Sequence, residues 1–109
     1  MVLADKKCEA CKGEVAALDK GEIQEYLKQV NGWDVSEQYT RIYKEFKFRN
    51  FGGSLDFVNK VALIAEQEHH HPDINFGWGY CTVYIQTHAI NGLHENDFIL
   101  ASKIDNINF

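Results

Sequence analysis

The chain has 109 residues, of which 45% are apolar and 25% charged, and its formal net charge is −5. This balance predicts one globular domain, and a core so small favours assembly into a homo-oligomer. The 11 basic residues are scattered, so we expect neither nucleic acid nor an anionic membrane as a direct partner. No apolar run is long enough for a signal peptide or a membrane span, so we expect a cytoplasmic protein.

The first residues lack a clear secondary-structure pattern. We expect residues 1–17 to form a loosely ordered arm and residues 18–109 to form a single domain. The arm holds Cys8 and Cys11 in a C-x-x-C motif, the spacing of half a zinc site or of a redox pair. Zinc needs two more ligands, and the redox motif is expected between a strand and a helix. We therefore interpret the two cysteines as an incidental thiol pair.

Helical spacing first occurs after Asp19. Asp19-x-x-Glu22 has the spacing of a capping box and predicts a first helix over about 20–29. Asn50 is the predicted N-cap of a second helix, which Pro72 should end near residue 67 because proline lacks a backbone donor. Apolar residues in this helix follow a +4, +3 spacing, which predicts an apolar face made of Phe51, Leu55, Val58, Ala62 and Ala65.

Strands are predicted over residues 33–35, 40–48, 73–76 and 80–87 from alternating apolar and polar residues between turn signals. A last helix over about 95–106 completes the order α-β-β-α-β-β-α. This order predicts an α+β fold, a two-layer sandwich in which three helices cover one face of a four-stranded antiparallel sheet. In the last strand, Cys81 should face the helices, whereas Tyr84, Gln86 and His88 should share the uncovered face. The tyrosines there suggest a subunit contact or a cleft wall.

Histidines concentrate in two places, at His69-His70-His71 before Pro72 and at Thr87-His88 after the last strand. Imidazole can both give and take a proton near neutrality, so histidines held on separate elements favour proton-transfer chemistry. The same residues could instead be solvated at a helix end or bind a divalent metal. We interpret His69 as a solvated loop residue. His94 could be a polar N-cap, with Asp97 reaching back to a free amide.

A longer pattern joins these histidines to other fixed positions. It consists of Gly32-Trp33, Glu66-x-x-x-His70-His71-Pro72-Asp73, an aromatic residue at 78, Thr87-His88 and Gly92-Leu93-x-x-x-Asp97-x-x-x-Ala101. In these motifs the chain resembles the pterin-4a-carbinolamine dehydratases, over about residues 18–106. Its C-E-A-C arm and its Gly92–Asp97 motif are similar to those of a bacterial branch of the family.

The resemblance implies a 4a-hydroxytetrahydrobiopterin dehydratase, a hydro-lyase that converts 4a-hydroxytetrahydropterin to quinonoid dihydropterin and water in tetrahydrobiopterin recycling. It places His70, His71 and His88 at the catalytic positions. We assign direct proton transfer to His71 and His88, with His70 binding the pterin or sharing that role. It places Pro72, Thr87, Ala89 and Ile90 on substrate-contacting segments. We expect Glu66 and Asp97 to orient the histidines. No metal or other cofactor is expected, because the pterin is the substrate.

The resemblance also implies partners. We expect a homodimer or homotetramer, and a functional link to a pterin-dependent aromatic amino acid hydroxylase that would supply the substrate. Two alternatives remain open at this point. One is a non-enzymatic role as a dimerisation or regulatory binding partner, for which the uncovered sheet face could serve. The other is a metal-binding module built on the same histidines.

Overall fold

The computed structural model of the protein describes residues 3–8 and 16–109. In these ranges three helices, α1 (Lys20–Leu27), α2 (Phe51–Glu68) and α3 (Glu95–Asp105), accompany four strands, β1 (Asp34–Val35), β2 (Ile42–Lys47), β3 (Asp73–Gly77) and β4 (Tyr80–Ile85). The predicted order is confirmed, and the ends differ from the predicted ones by a few residues. None of these helices combines the length and the apolar composition that crossing a bilayer requires.

The four strands form one antiparallel sheet in the order β1-β2-β4-β3. The side chains of Ile42, Phe46, Cys81, Val83 and Ile85 are buried in one core with those of the helices. The opposite face carries Tyr43 and Tyr84, which pair across β2 and β4 with their ring centroids 5.9 Å apart. The α+β sandwich and the alternation predicted for β4 are therefore confirmed.

Lys44 is the one charged residue on the buried side of β2. Its Nζ atom donates to Asp105 Oδ1 at 2.9 Å and lies 4.8 Å from the centroid of the Phe46 ring. Asp105 also accepts from Trp33 Nε1 at 3.0 Å. The aliphatic part of the lysine covers apolar surface while its ammonium reaches a carboxylate, so Lys44 fits the strand register without burying an unpaired charge.

Helix α2 begins and ends as the sequence indicates, but its buried face is different. Asn50 Oδ1 accepts from the backbone N–H of Gly53 at 2.8 Å, as expected of an N-cap. The residues of α2 that are buried are Ser54, Phe57, Val61 and Ala65. The prediction is confirmed for Ala65 and in part for Val58, which packs against the core, but it is wrong for Phe51, Leu55 and Ala62, which are exposed. The buried face is therefore rotated by about a quarter turn from the predicted one.

The described part of the arm packs against α3. Leu3 is buried, Lys103 Nζ donates to the carbonyl oxygen of Ala4 at 2.9 Å, and the backbone N–H of Cys8 donates to Glu68 Oε1 at 2.8 Å. Burial, reinforced by the carboxylates of Glu68 and Asp97, raises the pKa of the Cys8 thiol to about 12. A nucleophilic redox cysteine has a low pKa instead. The other cysteine of the motif, Cys11, lies outside the described residues.

We predict that the described thiols are slow to alkylate in the folded protein. Burial raises the pKa of Cys81 to about 11 and that of Cys8 to about 12, so little thiolate forms at pH 8. In a Cys11→Ser variant, iodoacetamide should modify both thiols at least ~100-fold more slowly in buffer than in guanidinium chloride. Mass spectrometry of timed samples measures both rates. Equal rates would show that burial does not protect these thiols, and a faster reaction of Cys8 in buffer than in guanidinium chloride would indicate a reactive thiolate in the arm.

Candidate active site

The carboxylate of Asp97 joins three separate segments of the chain. Oδ1 lies 2.6 Å from His70 Nε2, and Oδ2 accepts from the Thr87 hydroxyl at 2.8 Å and from the backbone N–H of His94 at 2.9 Å. The Asp97 side chain has no solvent exposure. A buried carboxylate is stable only when its oxygens are satisfied by donors, and here three donors satisfy it.

The start of α3 positions this carboxylate. His94 is the N-cap of the helix, and its Nδ1 atom accepts from the backbone N–H of Asn96 at 3.1 Å. Asp97 completes the capping box by accepting from the backbone N–H of His94. The expectation of a histidine N-cap with a reciprocal carboxylate is thus confirmed. The same carboxylate still has room for the histidine and threonine contacts because each oxygen has two lone pairs.

His70 is held rigidly by this arrangement. The chain leaves α2 through His69, whose φ of 54° is left-handed, and His70 follows with a side chain only 12% exposed. Against an ionised carboxylate, which only accepts, the Nε2 atom of His70 is the donor. Its other ring nitrogen, Nδ1, is then the one able to accept a proton. Asp97 therefore fixes both the position and the tautomer of this ring.

His71 has a carboxylate neighbour of a different kind. Its Nε2 atom lies 3.2 Å from Glu66 Oε1, one turn back on α2, but the two side chains are 60% and 75% exposed. Water competes with such a pair, so the contact orients the ring weakly compared with the buried pair. The two expected carboxylate partners, Glu66 and Asp97, therefore each contact the ring of one predicted site histidine.

A short, closed loop carries His88. Thr87 and Gly92 form a β-bridge, with the Thr87 N–H donating to the Gly92 carbonyl at 2.9 Å, and the residues between them form a 3-10 turn, His88–Ile90. His88 is exposed, and its Nδ1 atom lies 3.4 Å from Gln86 Nε2. Sequence reasoning placed Gln86 on the uncovered sheet face but did not name it as a site residue. Because residues two apart in a strand share a face, its position two residues before His88 could have indicated that the two side chains lie close together.

The base of this loop leaves no room beside Gly92. A Cβ atom at position 92 would come within 2.8 Å of the Ala17 Cβ atom. The neighbouring Leu18 N–H donates to the carbonyl oxygen of Leu93 at 2.9 Å, which holds the two segments together. The segment before α1 therefore supports the loop that carries His88.

The structure brings most of the predicted site residues to one end of the sheet. His70, His71 and Pro72 precede β3, while Thr87 to Ile90 follow β4, its antiparallel neighbour. Trp78, the aromatic residue of the sequence pattern, lies instead in the turn between β3 and β4 at the opposite end, where it is exposed. Within residues 3–8 and 16–109, no three His, Cys, Asp or Glu side chains are arranged to hold a metal ion.

We predict that the two carboxylates differ sharply in their effect on stability. Asp97→Asn leaves buried donors without a proper acceptor and should lower the free energy of unfolding by about 3 kcal/mol. The matched change Glu66→Gln, at an exposed pair, should alter it by less than about 0.5 kcal/mol. Urea unfolding followed by circular dichroism measures both. Equal effects of the two substitutions would show that the Asp97 contacts do not stabilise the fold.

Comparisons with known proteins agree on the family. The family model described as pterin 4 alpha carbinolamine dehydratase matches residues 16–107. Proteins of Halorhodospira halophila and Rickettsia canadensis, each provisionally named a pterin-4-alpha-carbinolamine dehydratase, are 53% and 55% identical over 105 residues. The matches cover 96% of both chains for the first and 95% of both for the second.

Solved structures support the same conclusion. The crystal structure of a transcriptional coactivator/pterin dehydratase from Brucella melitensis has a TM-score of 0.76 and 32% identity, over 81% of this chain and 94% of that one. A pterin dehydratase-like protein identified as a RuBisCO assembly factor in the alpha-carboxysome shares the fold, with a TM-score of 0.59 and 22% identity over 69% of this chain and 87% of that one. The chain belongs to the pterin-4a-carbinolamine dehydratase family.

Proposed function

We propose that this protein dehydrates a 4a-hydroxytetrahydropterin to quinonoid dihydropterin and water. The observation that carries the proposal is the Asp97 carboxylate, which binds His70 and Thr87 at once. It brings the segment that holds His70 and His71 beside the loop that starts at His88. Family membership supports the choice of substrate, because the relatives named above are named after this reaction.

The reaction requires one proton to arrive and another to leave. The bond from C4a to the hydroxyl oxygen breaks, and the oxygen needs a proton because hydroxide is a poor leaving group. A ring N–H loses its proton, and the electron pair of that bond forms the new C=N bond. Electrons balance without an oxidant, so general acid and general base catalysis by side chains would suffice. We therefore propose that no metal or redox cofactor takes part.

The geometry supports different roles for the three histidines. His71 and His88 are exposed, so each can contact a bound substrate and exchange protons with water between turnovers. We assign direct proton transfer to these two. His70 is bound through Nε2 to a buried carboxylate, which suits it to hold the pterin ring in a fixed orientation. Pro72, Thr87, Ala89 and Ile90 would form the surrounding walls.

Replacement of the exposed histidines tests the proposal. His71→Ala and His88→Ala should each lower kcat by about 100-fold or more, because a positioned acid or base contributes roughly 10²- to 10⁴-fold. The absorbance decay of a freshly generated 4a-carbinolamine measures the rate. His69→Asn is the matched control, since asparagine tolerates the left-handed backbone, and it should keep the rate of the unchanged protein. A folded double variant with unaltered turnover would refute the assignment.

Chelation separates this proposal from a metal-dependent site. After dialysis against EDTA, and with metal content measured by mass spectrometry, the dehydration rate should be unchanged if side chains alone move the protons. Loss of the rate, with recovery on adding zinc or another divalent ion, would favour the metal-binding module.

A pterin-dependent aromatic amino acid hydroxylase would be the cellular source of the substrate, since such enzymes release 4a-hydroxypterins.

A second feature favours self-association of the chain. Phe51, Leu55, Val58 and Ala62 form an apolar stripe along α2 that the core leaves uncovered in part. We propose that a second copy of the chain covers this α2 stripe. An 18-residue helix is about 27 Å long, and two antiparallel copies related by a two-fold axis would bury equivalent stripes against each other. The competing, non-enzymatic interpretation is that the chain binds a regulatory protein, for which the uncovered sheet face could serve.

A charge in the α2 stripe should separate the subunits. We expect Leu55→Lys to shift the protein toward monomer in sedimentation velocity, because a charge would be desolvated at the contact. Leu63→Lys is the control, since Leu63 is also exposed on α2 but lies about 100° round the helix from Ala62. A monomeric unchanged protein at micromolar concentration would refute self-association through this surface.

A further inference from the structure

A cavity lies beside the candidate active site, with Gln86 at their boundary. It has a volume of about 470 Å³ and is lined by Ser36, Glu37, Gln38, Thr40, Arg41 and Gln86. Its walls are the turn between β1 and β2 and the end of β4. None of its lining residues was among the predicted site residues.

The strand register places this cavity next to the histidines. Ile42 pairs with Ile85 and Asp73 pairs with Tyr84. Arg41 therefore precedes β2 and His71 precedes β3 at the same end of the sheet, on the two sides of the end of β4 that leads into Gln86. Neighbouring strands are about 4.8 Å apart, so these two positions lie roughly 10 Å from each other. Gln86 belongs to both sites, because it lines the cavity and its Nε2 atom lies 3.4 Å from His88 Nδ1.

The walls of the cavity are held in place by local contacts. The Ser36 hydroxyl accepts from the backbone N–H groups of Thr40 and Arg41 at 3.2 and 3.3 Å. The Arg41 guanidinium lies over the Tyr84 ring, 4.6 Å from its centroid. A side chain already oriented by an aromatic face loses less entropy when it binds a ligand. The Arg41 side chain and the Ser36–Arg41 turn are therefore already oriented before a ligand binds.

The lining indicates what the cavity can bind. Hydroxyl, amide, carboxylate and guanidinium groups offer both donors and acceptors, and Glu37 offsets the positive charge of Arg41. A neutral group with several hydroxyls can use both kinds of partner. An anionic group would be repelled by the Glu37 carboxylate, and an aliphatic group would leave the polar groups of the walls without hydrogen-bond partners.

We infer that this cavity binds the side chain on C6 of the pterin and selects a short, neutral, polyhydroxylated one. The inference rests on the proposed function, because it assumes a pterin ring held between His70, His71 and His88. The Gln86 side chain would then lie between that ring and the cavity. Arg41 is then a specificity-determining residue, remote from the bonds that break.

Two substrates that differ only in the side chain test the inference. The 4a-carbinolamine of tetrahydrobiopterin carries a dihydroxypropyl group, and that of 6-methyltetrahydropterin carries a methyl group. We expect Arg41→Ala to raise KM for the first about fivefold to tenfold without changing kcat, because the contact is the same in the ground and transition states. KM for the methyl substrate should stay unchanged. Thr40→Val, which is isosteric, should act in the same direction with a smaller effect.

Arg49→Ala is the matched control, because Arg49 is an exposed arginine at the opposite end of the sheet, and both KM values should match those of the unchanged protein. Equal KM values for the two substrates in the unchanged protein would overturn this inference alone. So would an Arg41→Ala variant that affects both substrates alike. Failure of the unchanged protein to dehydrate either substrate would overturn the proposed function, and this inference with it.

Discussion

The site depends on one buried carboxylate. Asp97 receives a histidine from the segment after α2, a hydroxyl from the end of β4 and a backbone amide from the start of α3. Without these donors a charge in the core would be costly, and without the charge the donors would lack an acceptor. The same interactions therefore stabilise the fold and position His70 and Thr87. Stability and site geometry cannot be changed independently at this residue.

The three histidines of the candidate site differ in their exposure to solvent. His70 is nearly enclosed and has a fixed tautomer, whereas His71 and His88 are open to solvent. Under the proposed function, an acid that gives a proton and a base that takes one would both have to return to their starting states before the next substrate. Contact with water allows that return without a dedicated proton path. A fully buried set of three imidazoles would orient the pterin well but would regain its protons slowly.

Local chemistry made much of the fold predictable. The Asn50 cap, the break before Pro72 and the alternation through β4 depend on neighbouring residues, and all three occur. The buried face of α2 was missed because Ser54 is polar, yet it is buried and its hydroxyl bonds to the Asn50 carbonyl within the helix. The Asp97 contact with Thr87 and the cavity beside Gln86 arise from tertiary packing. Spacing along a single chain does not report them.

The close approach of Gly92 to Ala17 also bears on how this sequence can diverge. A residue with a Cβ atom at 92 meets the Ala17 methyl group at 2.8 Å, and the Leu18–Leu93 backbone bond keeps the two segments from moving apart. Substitution at one position is thus constrained by the residue at the other, although the two positions are 75 apart in the chain. A lineage that acquires alanine at 92 must first lose the methyl group at 17 or move the segment before α1. These two small residues should therefore be inherited as a pair.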